Sequence, residues 1–309
     1  MRKNGDNLTL SSYEILHKFS NESVAVSYFE DIRWKNGKCC PHCNHDKITK
    51  CTRAYFYYCP KCKKKFTVKT NTVMDHSHIG VGKWMYAIYM ILTARKGISS
   101  MQLSKELGIT QKSSWFMLQR IRTACTTKEK LCGIVEVDET YIGGKEDNKH
   151  EINKQRLGRG SVGKIPVFGM KSRNGRTKAI VLENVTKDTI QEIIRKNVRK
   201  GSVICSDDFK SYKGLNKTYS HYVVNHSAKQ YVDGMAHTNG IESMWAVLKR
   251  GFYGTYHKFS IKHLQKYVNE FSFRLSKGSV KICTQERMNS LLENFSCGKI
   301  SYNMCIAGL

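Results

Sequence analysis

The sequence predicts a multidomain α+β chain, and three observations predict it. Two Cys-x-x-Cys pairs stand close together near the N-terminus, a helical stretch with capped apolar stripes follows, and the second half alternates short apolar strands with amphipathic helices. At 309 residues the chain has room for two or three domains, one of them with a substantial core. Shifts of pattern divide it into a helical lead-in (1–36), a cysteine- and lysine-rich module (37–70), a helical segment (71–130), an α/β domain (131–279) and a C-terminal tail (280–309). No internal repeat occurs, and two of the three prolines lie inside the Cys pairs, so these boundaries rest on pattern rather than on linkers.

The charge balance speaks to partners rather than to fold. Lys and Arg number 52 against 25 Asp and Glu, a formal net charge of +27, which favours nucleic acid first and an anionic membrane surface second. No apolar run reaches the length of a membrane span. The richest, WMYAIYMILTA from Trp84 to Ala94, is too short, is followed by Arg95 and Lys96, and reads as a buried helix. The N-terminal MRKNGDNLTLSSYEIL lacks the apolar core of a secretory signal, so the expected location is cytoplasmic and nucleoid-associated. Twelve cysteines in a reducing compartment point to metal binding rather than to a disulfide framework.

The lead-in carries two helical patterns, YEILHKF and SVAVSYFEDIRW, the second starting at Asn21 or Ser23. In the module that follows, Cys40-Pro-His-Cys43 and Cys59-Pro-Lys-Cys62 are knuckles fifteen residues apart, a spacing that suits the tetrahedral preference of Zn²⁺ for four thiolates. The intervening TKCTRAYFYY is aromatic and β-branched, as the hairpin of a zinc ribbon requires. A closed four-thiolate site leaves no coordination position for water, so this zinc is structural. Cys39 and Cys51 fall outside the spacing, and His42 and His45 are not needed as ligands. Lys61, Lys63, Lys64 and Lys65 beside Tyr55, Phe56, Tyr57 and Tyr58 give a basic, aromatic surface open to DNA, to a protein partner, or simply to solvent.

KGISSMQLSKELGITQKSSWFMLQRIRTA reads as two helices joined at Gly108. Met101, Leu103 and Leu107 form one apolar stripe; Trp115, Leu118 and Ile121, with Phe116, form the other and belong to the core. Thr110 is the natural N-cap of the second helix, which places Gln111, Lys112 and Ser113 in its first turn, where a helix-turn-helix meets base edges and phosphates.

The last domain can be ordered coarsely. A strand runs through Ile134 to Asp138 and stops near Gly143-Gly144, and KEDNKHEINKQRLGRGSVGK reads as an exposed loop. IPVFGM and TKAIVLENV flank a hairpin turn at Asn174-Gly175. Thr186 caps a helix to about Val198, SVIC delivers Asp207, HYVVNH is a weaker strand, and helices begin near Thr238 and Ile261. A three-strand meander, a helix and a further strand is the layout of a ribonuclease-H-like fold.

Three acids stand out in this basic chain: Asp138 and Asp207 at apolar strands, and Glu242 on an amphipathic helix. Hard divalent cations such as Mg²⁺ and Mn²⁺ prefer oxygen ligands, and a pair of them assists phosphoryl transfer. Strand alternation puts Ile134, Glu136 and Asp138 on one face and Val135, Val137 and Glu139 on the other, so Asp138 and Glu139 compete for one site, as do Asp207 and Asp208. In the helix, Glu242, Trp245 and Lys249 share one side, followed by Arg250, while Ile241, Met244 and Leu248 form the apolar stripe and Trp245 borders both.

The chain resembles the bacterial insertion-sequence DDE transposases of the Merlin-related superfamily, those with a zinc ribbon and an ISXO-like transposase domain. The resemblance spans about residues 22 to 275 and is carried by CPHC, YYCPKCKKKFTVKTNTVM, KWMYAIYMI, the helical pair, VEVDETYIGGK, VFGM, SDDFKSY, VNHS and HTNGIESMWAVLKRGFYGTYHKFSIKHLQKYVNEFSFR. It implies a helical DNA-binding segment followed by a ribonuclease-H-like catalytic domain. It selects Asp138, Asp207 and Glu242 as a catalytic triad for Mg²⁺ or Mn²⁺, and Lys249 as a contact to phosphate or end DNA. The implied partners are terminal inverted repeats and target DNA, bound by a homodimer or higher oligomer. Together with the residue patterns above, DNA contacts are expected from Lys63, Lys64, Lys65, Gln111, Lys112, Ser113, Lys249 and Arg250. After FSFR the family continues with an Asn-containing, Arg-rich turn, whereas this chain reads LSKGSVK; the tail from about Val280 has no counterpart, and its Cys283, Cys297 and Cys305 lack ligand spacing. Two other readings of the same residues are a non-catalytic DNA-binding descendant of a transposase and a ribonuclease-H-like nuclease without strand transfer.

Overall fold

The computed structural model describes residues 9–127, 129–144, 163–173, 175–224, 237–276 and 283–308. The chain divides into two compact units, one of Met1–Ala94, Ile98–Cys125 and Ser279–Leu309, the other of Arg95–Gly97 and Thr126–Gly278. In the first unit, α1 (Ser12–Lys18) opens with a reciprocal capping box between Ser11 and Glu14. Helix α2 (Glu22–Arg33) starts where the sequence indicated, with the Asn21 side chain accepting from the Ser23 amide. Strands β1 (Thr49–Lys50), β2 (Tyr57–Cys59) and β3 (Lys64–Phe66) form a small antiparallel sheet in that order. Glu30 of α2, nearly buried, accepts from the Tyr57 hydroxyl at 2.7 Å and from Lys38 Nζ at 2.6 Å, which ties the helix to the sheet. The Trp34 ring meets Tyr57 and Phe66 edge-on beside it.

Helix α3 (Val81–Thr93) is apolar on nearly every side and buried along most of its length, as its composition demands. Its N-terminal amides are capped from a distance: Glu22 accepts from Val81 N at 2.6 Å and Gly82 N at 3.1 Å. Helices α4 (Ser100–Leu107) and α5 (Gln111–Ala124) form the expected pair, capped by Ser99 and Thr110 and joined through Gly108 in the left-handed conformation. One stripe differs from expectation. Met101 is 56% exposed, and Ser104 faces inward instead, its hydroxyl satisfied by the Met101 carbonyl at 2.7 Å.

The second unit is built on a five-stranded sheet in the order β6-β5-β4-β7-β8. Its strands are β4 (Ile134–Ile142), β5 (Ile165–Ser172), β6 (Thr177–Val181), β7 (Val203–Asp207) and β8 (Ser220–Val224). The meander β4-β5-β6 is antiparallel, and β7 and β8 run parallel to β4. Helix α6 (Lys187–Asn197), capped by Thr186, covers one face with Ile190 and Ile194 against Val135, Val137, Phe168, Met170 and Ile204. Helices α7 (Asn239–Gly251) and α8 (Ile261–Leu275) cover the other face, where Ile241, Met244, Leu248, Leu264 and Phe271 meet Val167. Gln265 of α8 accepts from Val181 N at 2.8 Å and donates to the Ala179 carbonyl at 3.0 Å, so the helix satisfies the outer edge of β6. The loop expected over 145–164, apart from its last two residues, lies outside the described residues, as do Asn174 of the hairpin turn, Asn225 and His226 of the VNHS motif, and the chain after the family block at 277–282. First-strand pairing continues past Asp138 to Ile142 because β5 offers a partner along the whole length.

The tail acquires a place that no sequence pattern indicated. Helix α9 (Thr284–Glu293) packs on α2 and α3, and after it Phe295, fully buried, lies against the rings of Phe29 and Trp84. The Phe295 carbonyl accepts from Val73 N at 3.0 Å. Helix α10 (Tyr302–Ala307) presents Tyr302 edge-on to Trp115 and Phe116 of α5. Those two rings are therefore half-buried under the tail rather than enclosed within a two-helix core.

Candidate active site and metal centre

The first-unit site is built by two matching turns. Asn44 and Lys63, each just after the second cysteine of a knuckle, take positive φ, and the backbone closes from Asn44 N to the Cys40 carbonyl at 2.8 Å. The Sγ atoms of Cys40 and Cys62 stand 3.6 Å apart, as do those of Cys43 and Cys59, and all four lie within 4.8 Å of one another. Burial opposes a thiolate at Cys59, but donation from the Cys62 backbone N–H and the neighbouring thiols outweighs it and draws this group down to about 7. Four thiols in this arrangement fit a structural Zn²⁺. Cys39 and Cys51 stand outside the cluster.

The acids of the second unit are assembled by the sheet. Glu136 and Cys205 are register partners on parallel strands, and two residues further along each strand stand Asp138 and Asp207. Asp138 lies on the face covered by α7, where Trp245 Nε1 donates to its Oδ2 at 2.9 Å. That contact needs a glycine opposite: a Cβ on Gly169, the β5 partner of Asp138, would stand 2.4 Å from the indole. Burial, then the charges of Glu139 and Asp207, push the Asp138 carboxyl up to about 7. Glu139 turns toward the α6 face and accepts from the Tyr212 hydroxyl at 2.5 Å, and burial raises its carboxyl as well. Asp207 Oδ1 accepts from Phe209 N at 3.2 Å, while Asp208 is exposed.

Glu242 sits one turn before Trp245 on α7, exposed, and the Thr238 hydroxyl donates to its Oε1 at 2.6 Å. Asp138 and Asp207 thus come together and Glu242 rides on the helix bonded to Asp138. Among the described residues, however, only the four cysteines bring three or more such ligand atoms within 4.8 Å of one another. Lys249 and Arg250 are exposed near the end of α7. In the first unit Lys63, Lys64 and Lys65 are exposed; Gln111 donates to Ser100 Oγ at 2.8 Å, the Ser113 amide is held by Thr110, and Lys112 stands over the Tyr302 ring at 4.7 Å. Sequence reasoning missed Trp245 as the partner of Asp138, Tyr212 as the partner of Glu139, and a role for Glu136 altogether. The one available signal was alternation, which puts a charged Glu136 on the same covered face as Asp138.

Residues 130–276 match the ISXO2-like transposase domain, and residues 20–65 match the transposase zinc-ribbon domain. An uncharacterized protein in transposable element ISH50 of Halobacterium salinarum is 28% identical over 271 residues, covering 83% of this chain and 91% of that protein. An uncharacterized transposase-like protein of Haemophilus influenzae is 29% identical over 103 residues, covering 33% of this chain and 82% of that protein. Among solved structures, a simian T-cell lymphotropic virus intasome is matched at 13% identity and a TM-score of 0.28, over 60% of this chain and 65% of that one, just under two thirds of its length. A pre-cleavage Mos1 transpososome is matched at 14% identity and a TM-score of 0.28, over 71% of this chain and 77% of that one. The chain belongs to the DDE transposases that join a zinc ribbon to an ISXO2-like transposase domain. It is an enzyme of a metal-dependent class.

Proposed function

We propose that this transposase binds the terminal inverted repeats of its own element, hydrolyses a strand at each element end, and joins the freed 3′-hydroxyl to target DNA by in-line displacement. The observation that carries the reading is the pairing of Asp138 and Asp207 at equivalent levels of β4 and β7, with Asp138 half-buried and pushed up to about 7 by burial, Glu139 and Asp207. Such a concentration of carboxylate oxygen in a partly desolvated place fits a hard divalent cation, whose charge would offset theirs. The strand order, an antiparallel meander flanked by two parallel strands, supports a ribonuclease-H-like assignment for this unit.

In this reading Asp138 and Asp207 hold Mg²⁺ or Mn²⁺, and Glu242 on α7 completes the set. Two such ions supply activation of the attacking oxygen and stabilisation of the leaving one. Trp245 keeps Asp138 aimed by donating to Oδ2, which leaves Oδ1 for a ligand. Lys249, exposed two turns after Glu242, meets a DNA phosphate, and Arg250 extends that contact. The α4–α5 pair offers Gln111, Lys112 and Ser113, and the ribbon offers Lys63, Lys64 and Lys65, as end-DNA contacts. Chemistry at two ends requires at least a dimer on DNA.

Asp138→Asn tests this directly: strand cleavage falls about a thousandfold or more while end binding is retained. Unchanged cleavage by this variant overturns the mechanism. Precleaved ends separate the rivals, because joining to target marks a transposase and release without joining marks a nuclease.

A further inference from the structure

The third acid reaches the site on α7, so its position depends on how that helix is fixed to the sheet. We propose that Glu136 is a positioning residue that fixes α7 against β4 and thereby sets where Glu242 stands relative to Asp138. The inference rests on the reading of Glu242 as a metal ligand given above.

Glu136 stands between the buried Val135 and Val137 on β4 and is itself 1% exposed. Its Oε2 accepts from Ile241 N, in the first turn of α7, at 3.0 Å. The helix needs this acceptor because Thr238, at the cap position, donates its hydroxyl to Glu242 and makes no side-chain cap bond. A residue in the first strand of the sheet therefore caps the helix while its local cap residue is turned toward the acid. The negative charge also meets the positive end of the helix dipole. On the other oxygen, Arg173 Nε donates to Oε1 at 3.2 Å and His237 Nδ1 stands 3.2 Å from it, so the buried carboxylate is paired rather than isolated.

Two further observations make this a fitted joint. A Cβ on Gly240 would lie 2.5 Å from Glu136 Oε2, so a larger residue there pushes the carboxylate back from the helix end. Glu136 and Asp138 stand two residues apart on one strand face, and their α7 partners, Ile241 and Trp245, stand four apart. Two strand residues rise about 6.7 Å, and four helical residues rise about 6 Å. The two bonds therefore pin strand and helix at matched intervals. Glu242 sits between the pinned positions.

The test uses the full-length protein, reading Mn²⁺ binding from the free-ion paramagnetic resonance signal alongside end cleavage. Glu136→Ala should weaken Mn²⁺ binding and cleavage about tenfold or more, the effect expected of an outer group that orients ligands. Glu136→Gln, which keeps an acceptor for Ile241 N, should restore binding to within about threefold of the parent, a rescue that loss of a merely structural contact would not give. Gly240→Ala, which crowds the same carboxylate, should reproduce the alanine defect, and it decides the matter if Glu136→Ala fails to fold. Asp138→Asn and Glu242→Ala are run beside them. Parent-like Mn²⁺ binding in both would overturn the metal-site reading itself. Loss of binding in those two, with parent-like binding and cleavage in folded Glu136→Ala or in Gly240→Ala, would overturn the positioning role alone.

Discussion

The cysteine cluster and the candidate acidic site of this protein are built over very different lengths of chain. The thiols come from Cys40 to Cys62, on two knuckles whose turns are written in the local sequence, and their sulfurs gather within 4.8 Å. The acids come from as far apart as Asp138 and Glu242, and two strands, a helix and a glycine opposite Asp138 are needed to arrange them. A local site is specified by spacing. A dispersed one is specified by packing, so its weak points lie in residues that bind nothing themselves.

The largest effect expected from breaking this contrast is at the local end. Removing Zn²⁺ with a chelator, or changing Cys43→Ser, takes away folding energy on the order of 10 kcal/mol. The ribbon signal in circular dichroism should be lost, and the second unit should keep its own unfolding transition. Loss of both transitions together would mean the ribbon is not an independent local structure.

Next comes the packing of the first unit, where the distant tail does what the local ribbon cannot. Phe295→Ala removes a fully buried ring from between Phe29 and Trp84 and should cost about 3–5 kcal/mol. Thermal unfolding of the parent and variant measures it; an unchanged first-unit transition would show that the tail is dispensable there.

At the acidic site, Gly169→Ala drives a methyl group into the Trp245 ring and should destabilise the second unit by about 1–3 kcal/mol. Cleavage should fall together with stability, because the displaced indole no longer holds Asp138. Full activity in this variant would separate the clamp from the chemistry.

The smallest effect concerns His221 on β8, which lies 2.8 Å from Ser206 Oγ through its Nε2. Burial depresses its imidazole below the ordinary 6.5, so the folded state binds fewer protons than the unfolded one. The stabilising contribution is present above pH 6.5 and is lost as the pH falls through the lower folded value. Unfolding curves of His221→Gln and the parent should therefore diverge least in mild acid below that value and most at neutral pH. A constant gap would exclude this linkage.

Much of the secondary structure was legible because it was local. Asn21, Thr110 and Thr186 cap the helices at which their side chains pointed, and Gly108 turns between α4 and α5. The apolar stripe of Ile241, Met244 and Leu248 is buried on α7. Met101 was misread because periodicity does not say how far a stripe extends toward a helix end, and Ser104 satisfies itself on the backbone. The choice between Asp138 and Glu139 needed more than alternation, which separates their faces without saying what covers each one. Trp245 covers one and Tyr212 the other.

The sequence by itself determined the zinc knuckles, the caps, the strand and helix order and the candidate acids, because each depends on neighbours a few residues away. Only the tertiary structure decided that the tail closes the first unit, that Trp245 holds Asp138, and that Glu136 caps the helix carrying Glu242. Those contacts join residues about a hundred or more positions apart. Their partners are selected by shape and by the need to satisfy buried charge, and neither leaves a periodic trace in the chain.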